Sequence, residues 1–333
     1  MRFDKDSLQI DSSAEAARLT SWLRESVRVT LHRRGAIVGV SGGVDSAVVL
    51  ALCVRALGQR HVLAVILPER ESAGESEPLA RRLAAKFGVE TAKEDITAPL
   101  AGLGCYRRRD EAIKRVIPEY NPSTGDRAKL VLPQHLLDDG ALNVFSIVIV
   151  KPDGSEISRP LPTNEYLQVV AASNFKQRTR MAMLYYYAES RHFAVIGTAN
   201  RNERQQGFFV KHGDAGVDCD PIAHLYKTQV YQLAEHLEIP EEIRRRTPTS
   251  DTYSAPCTQE EFFFRLPFST MDILWDAEEN DVPAAETAEA MGLTQIQVER
   301  AYEDFRRKAR ATQPLREPPL RPSATPMLPR AGH

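Results

Sequence analysis

The chain has 333 residues, 42% hydrophobic and 26% charged, with a formal net charge of -2. That length buries a sizeable core in one large or two modest α/β units, and the balanced charge excludes a general nucleic-acid or membrane-surface binder while leaving room for a local basic site. Cys53, Cys105, Cys219 and Cys257 lack CxxC spacing, so neither zinc nor a disulfide scaffold is implied; free thiols in a reducing cytoplasm fit, and no apolar run is long enough for a leader or a membrane span.

Apolar residues at three- and four-residue steps from Ala17 to Leu31 predict a helix over 12–34. Ala36-Ile37-Val38 then reads as a short buried strand and 47–57 as an apolar helix. Between them lies Ser41-Gly42-Gly43-Val44-Asp45-Ser46. Gly42 and Gly43 let main-chain N–H groups approach a phosphate, Ser41 and Ser46 add hydroxyl donors, and the helix start adds positive potential. Asp45 is out of place beside phosphates unless a cation offsets it, which points to a nucleotide arriving with Mg²⁺. The competing reading is a capped glycine turn without a ligand. No lysine follows the glycines, so this is not the GxxxxGK[ST] loop, nor is it GxGxxG.

A second apolar strand over 62–67, a helix over 77–87 and a weaker strand over 90–96 continue the pattern. Such alternation means parallel strands joined by right-handed crossovers, with ligands beyond the strands' carboxyl ends. From 104 to 162 the pattern breaks into an inserted lobe. Within it, Arg107-Arg108-Arg109 reads as a solvated helix face, and 144–150 with Ile157 as a β-hairpin. A long helix over 165–189 follows, on which Asn174 and Arg178 share one face; Lys176 and Arg180 share the adjacent stripe, either as ligand contacts or as exposed cations with ordinary partners. The strand 192–196 then leads into a polar stretch with Thr198, Glu203, Lys211, Asp214 and Asp218. Leaving a strand end beside the first turn, it places Glu203 to join Asp45 on Mg²⁺, with Lys211 and Lys227 supplying positive charge. Thr249 offers a hydroxyl near the nucleotide. Helices fill about 258–312, and the proline-rich tail 313–333 is expected to be extended or disordered.

Taken in order, SGGVDS, KQRTRM, GTANRNE, QGFFVKHGD, VDCDPIAHLYKTQV and RTPTSD resemble the motifs of the NAD synthetase family, within the ATP pyrophosphatases. The resemblance covers roughly 36–100 and 165–250 and implies an adenine nucleotide alpha-hydrolase fold: a doubly wound, Rossmann-like parallel sheet, here one domain over 1–312 with the insertion and a helical C-terminal part. It implies that ATP adenylates the nicotinate carboxylate of deamido-NAD, that ammonia displaces AMP, and that the enzyme is a homodimer. By motif, Ser41, Gly42, Gly43, Val44, Asp45 and Ser46 hold ATP phosphates, Asp45 and Glu203 are magnesium ligands, and Thr198, Lys227 and Thr249 contact ATP. Asn174, Arg178, Lys211, Asp214 and Asp218 correspond to contacts with deamido-NAD. Val210 departs from the family's usual Thr, His212 replaces a frequent Tyr, and a basic C-terminal pair has no clear counterpart. Free ammonia or a separate partner protein is expected to supply nitrogen. A related enzyme amidating another carboxylic acid is the alternative, and a nucleotide-sensing module without turnover is the reading from a different class.

Overall fold

The computed structural model describes residue 4 and residues 6–134, 136–138, 144–250 and 252–321. Asp11 starts α1 (Ser12–Glu25) by accepting hydrogen bonds from the Ser13 and Ala14 N–H groups, and a π-helical turn, Ser26–Thr30, extends the helix towards β1 (Ala36–Gly39). Next come α2 (Val44–Leu57), β2 (Val62–Ile66), α3 (Ser76–Lys86) and β3 (Glu90–Lys93). After α4 (Thr97–Gly102) and α5 (Cys105–Val116), the chain forms an antiparallel sheet of β4 (Arg127–Val131), β5 (Ser146–Val150) and β6 (Glu156–Pro160). The long α6 (Thr163–Arg191) returns it to the parallel sheet as β7 (Ala194–Ile196). Then follow α7 (Arg201–Gln206), α8 (Lys227–His236), α9 (Glu241–Arg244), α10 (Phe268–Glu279), α11 (Ala284–Met291) and α12 (Gln295–Arg316).

The parallel sheet has the order β3-β2-β1-β7, so the chain winds outward from β1 in one direction and later returns to its other side. Between β1 and β7 lies the topological switch point, the crevice where open α/β sheets bind ligands. Register matters here: Val38 pairs with both Ala64 and Ile196, which ends β1 and β7 level. The SGGVDS turn and the GTANRNE segment therefore leave the sheet side by side, although they lie far apart in sequence. Behind them, Val48, Val49, Leu50 and Leu52 of α2 are fully buried among α1, α8 and the sheet. Each such side chain contributes roughly 1.5–3 kcal/mol relative to exposure, which makes α2 a rigid base for the turn it carries.

The inserted lobe differs from the expected hairpin by one strand. β4 pairs with β5, and its alternation of buried Ala128 and Leu130 with charged Arg127 and Lys129 is the period-two pattern of a sheet with one covered face. That face joins Ile147, Ile149, Val169 of α6 and Tyr253 in a small core. Arg109 also departs from expectation. Arg107 and Arg108 are exposed, whereas Arg109 is buried because α5 turns it inward onto Glu71 and Asp110.

At the C-terminus, α12 continues through Pro314 to Arg316, into the stretch expected to be extended. The proline removes one N–H donor in the last turn, but side chains satisfy the carbonyls around it. Arg316 donates to the Ala309 carbonyl at 2.5 Å, and Lys211 Nζ donates to the carbonyls of Pro314 and Glu317 at 2.9 and 2.8 Å. The remainder of the expected tail, 322–333, lies outside the described residues. Among the described residues, no helix is long and apolar enough to cross a membrane.

Candidate active site

The turn after β1 leaves main-chain donors open, as an anion site requires. Gly42 has φ +78°, and a Cβ there would lie 2.8 Å from the Ser76 carbonyl oxygen, so backbone angle and space both require glycine. Gly43 caps α2 without any side-chain hydrogen bond, leaving first-turn N–H groups for a ligand. Ser46 is buried and donates to the Gly43 carbonyl at 3.0 Å; Ser41 stands 3.4 Å from it, hydroxyl to hydroxyl. Arg246 ties the turn to α3 through the Ser41 carbonyl and the Ser76 hydroxyl.

Opposite the turn, α7 begins with a capping box: Asn200 accepts from the Glu203 N–H at 3.1 Å, and Glu203 accepts from the Asn200 N–H at 3.2 Å. Asn200 has a second task. Its side-chain amide donates to Asp45 Oδ1 at 3.0 Å, so one buried asparagine holds both carboxylates. Lys227, the first residue of α8, pairs with Asp45 Oδ2. Burial opposes its charge, but Asp45 and Glu203 outweigh that and hold its pKa above the ordinary lysine range. Glu203 shifts upward: burial and then the Asp45 carboxylate push its carboxyl well above the usual range. Two carboxylates joined by an asparagine suit a hard divalent cation that takes one or two protein oxygens and fills its remaining positions from phosphate and water. Among the described residues, no third acidic, histidine or cysteine ligand joins them.

Sequence reasoning missed the support beneath this site. Asn202 accepts from the Lys227 N–H at 3.0 Å and donates to Asp272 Oδ1 at 2.6 Å, while Thr228 gives Asp272 two bonds of 2.8 Å. Asp272 is fully buried, and burial raises its carboxyl to about 6 against those hydrogen bonds. It locks α7 to α8, and hence Glu203 to Lys227. The asparagine and glutamate of the capping box were a readable signal for Asn200. Asp272, on distant α10, offered none.

A cavity of about 680 Å³ opens over the turn. Ser41, Gly43, Val44, Asp45 and Ser46 line it, joined by Thr198, Glu203, Lys227 and Thr249; Gly42 packs behind against Ser76 and Leu79. Asn174, Arg178, Lys211 and Asp214 line its outer part. Arg178 is exposed and contacts the Lys211 carbonyl at 3.4 Å, and Asp214 accepts from the Val210 N–H at 2.7 Å. Asp218 is not brought to the cavity: its carboxylate accepts from the Val195 N–H at 2.8 Å and the Tyr185 hydroxyl at 3.1 Å, satisfying the backbone of β7. Phe145 stacks on Tyr166 at 4.8 Å and, with Tyr253 and Phe262, gives the cavity an aromatic end beside the inserted lobe.

A second charge cluster forms part of the same wall. Lys176, read as either a ligand contact or an exposed cation, is buried and bound to Glu69 and Glu71 at 2.8 Å each and to the Thr252 carbonyl at 2.9 Å. Arg109 clamps Glu71 with two bonds of 2.6 and 2.8 Å. Burial alone would raise the Glu71 carboxyl, but Arg109 and Lys176 bring it down to about 2.

The family model described as NAD synthase matches residues 15–116 and 145–312, leaving 117–144, with β4, unmatched. The chain is similar to the NH(3)-dependent NAD(+) synthetase of Rhizobium rhizogenes, 48% identical over 315 residues that cover 95% of this chain and 94% of that protein. It is likewise 48% identical to the NH(3)-dependent NAD(+) synthetase of Rhizobium meliloti, over 94% of this chain and 92% of that one. Among solved structures it resembles the NH3-dependent NAD synthetase of Campylobacter jejuni in complex with nitrate, with TM-score 0.61 and 21% identity, covering 93% of this chain and 99% of that one. At that identity the likeness speaks for the fold, a doubly wound α/β sheet of the adenine nucleotide alpha-hydrolase kind.

Proposed function

This chain belongs to the NAD synthase family, and we propose that it joins ammonia to the nicotinate carboxylate of deamido-NAD, consuming ATP and yielding NAD, AMP and pyrophosphate. One observation on the chain itself carries the reading: Lys227, Asp45, Asn200 and Glu203 form a single hydrogen-bonded set at the mouth of the phosphate-binding turn. A carboxylate does not react with ammonia at neutral pH. One of its oxygens therefore attacks the α-phosphorus of ATP, and pyrophosphate leaves with the electron pair of the bridging oxygen. The ammonia lone pair then attacks the acyl carbon, the bond to AMP oxygen breaks with its pair, and the nitrogen releases one proton to water.

The protein positions and neutralises rather than reacting covalently. The Ser41 hydroxyl and the uncapped first turn of α2, the Ser46 N–H included, donate to phosphate oxygens, Lys227 supplies charge as pyrophosphate departs, and Thr198 and Thr249 hold the nucleotide. Asn174, Arg178, Lys211 and Asp214 face the dinucleotide. Asp45 and Glu203 are the residues that would hold Mg²⁺, which would supply positive charge to the triphosphate. The four cysteines are free and buried, which accords with a cytoplasmic enzyme.

A homodimer is part of the proposal. It is supported by an apolar groove of Pro99, Leu103, Phe175 and Ala182, and by Leu167 and Tyr186, two large exposed side chains elsewhere on α6. Light scattering at micromolar concentration should give twice the chain mass. The activity test is incubation with ATP, Mg²⁺, ammonium and deamido-NAD: NAD, AMP and pyrophosphate should appear one for one, and no AMP at any ammonium concentration would remove the reading. Val210, an apolar side chain in the cavity wall where the family usually has a hydroxyl, favours a second reading in which another carboxylic acid is amidated. Pyrophosphate release with that acid but not with deamido-NAD would establish it.

A further inference from the structure

A departing pyrophosphate carries several negative charges, while the hydroxyls and main-chain N–H groups of the turn are neutral donors. Lys227 reaches the turn already paired with Asp45, so part of its charge is spent before a ligand arrives. Other cations along the cavity are committed elsewhere. Lys176 is buried between Glu69 and Glu71, Lys211 donates to the Pro314 and Glu317 carbonyls, Arg178 contacts the Lys211 carbonyl, and Arg180 donates to the Leu67 carbonyl and Gln177. Among the described residues, the cation besides Lys227 that bonds to the turn itself is Arg246. It opens the RTPTSD motif, in which the resemblance gives a role to Thr249 alone.

The Arg246 guanidinium lies against Gly42, with one nitrogen 3.2 Å from where a Cβ there would stand. Its Nε donates to Glu75 at 3.1 Å, one terminal nitrogen to the Ser41 carbonyl at 3.3 Å, and the other to the Ser76 hydroxyl at 2.9 Å. A guanidinium has five N–H donors, so these bonds leave one on each terminal nitrogen, and the residue forms part of the cavity wall. Held on two sides and only 12% exposed, the side chain gives up little freedom when it takes an oxyanion. Glu75 is its one carboxylate partner and is 66% exposed, and a pair so open to water is a weak competitor for phosphate. Arginine suits that ligand, because it keeps its charge and its bonds to phosphate are charge-assisted.

We propose that Arg246 binds the pyrophosphate end of ATP and holds its charge as the bond to the α-phosphorus breaks, an inference whose place in the reaction rests on the amidation reading above. Lys227 then serves the turn at Asp45 and Arg246 serves it at Ser41. The test is calorimetric titration of the full chain with pyrophosphate and Mg²⁺, without acid substrate or ammonium. Arg246→Met should weaken pyrophosphate about tenfold or more, the scale of a lost charge-assisted hydrogen bond, and should make the affinity less sensitive to added salt. Arg246→Lys keeps the charge but not the fork, and should recover part of that loss. Glu75→Gln removes the competing carboxylate and leaves the guanidinium in place, so pyrophosphate should bind about two- to threefold tighter. That variant also decides the matter should Arg246→Met fail to fold. A residue that only braces the turn predicts the opposite pattern: Met and Lys equally weak, and weaker binding once Glu75 is changed. Either result, or an affinity untouched by Arg246→Met, would overturn the inference. Failure of deamido-NAD to yield AMP would instead bring down the amidation reading and leave these titrations, which need no acceptor, to judge Arg246 by themselves.

Discussion

Two charge clusters face the same cavity and are solved in opposite ways. Around Glu69 and Glu71 each carboxylate has donors: Lys176 spans both, Tyr106 donates to Glu69 at 2.8 Å, and Arg109 clamps Glu71. Around Asp45 and Glu203 one lysine serves two carboxylates, and Glu203 makes do with a backbone N–H and the long bond from Gln259. The carboxyl pKa values diverge accordingly, Glu71 down to about 2 and Glu203 upward. A satisfied cluster holds walls together; the under-compensated one is where the proposed reaction would place a cation.

That contrast breaks most visibly at Glu203. Glu203→Gln removes a carboxylate that crowds Asp45, so amidation kcat/KM should fall about 10³-fold, roughly 4 kcal/mol, while the melting temperature holds or rises. A fall in melting temperature would place Glu203 with the structural cluster. Lys176→Met makes the converse cut. It leaves Glu69 and Glu71 facing each other in a buried site and should lower the unfolding free energy in urea by about 3–4 kcal/mol, moderated because Arg109 remains.

Acid sharpens the comparison next. Glu71 has a folded-state pKa of about 2 against an ordinary 4.5. Its contribution is therefore complete above pH 4.5 and lost as pH falls towards 2, about 3 kcal/mol that urea titrations across that window should recover. Glu71→Gln should flatten that slope. The smallest effect is expected at Arg316, which donates to the Gln205 carbonyl at 2.9 Å at the end of α7. Arg316→Ala should cost about 1 kcal/mol by urea denaturation, with Arg316→Lys partly restoring it.

What was readable in the sequence was local. The strand, glycine turn and helix from Ala36 to Leu57 declared themselves because apolar runs and the Gly42 backbone angle depend on near neighbours. That Asp45 and Glu203 line one cavity followed from parallel topology, which sets two strand ends side by side. Lys176 could not be read as buried, since its partners sit on the segment after β2 and nothing on α6 names them. Asp272 and Gln259 were hidden for the same reason: their neighbours are chosen by tertiary packing. Pro314 misled because α12 runs two residues past it, where Lys211 and Arg316 donate to the Pro314 and Ala309 carbonyls, contacts that no local signal in the tail announces.

Titration calorimetry of ATP with and without Mg²⁺ addresses the paired strand ends most directly, using unmodified protein, Asp45→Asn and Glu203→Gln. Mg²⁺ should tighten ATP binding in the unmodified protein, and that gain should collapse in both variants. An equal Mg²⁺ gain in all three would contradict a cation shared between Asp45 and Glu203.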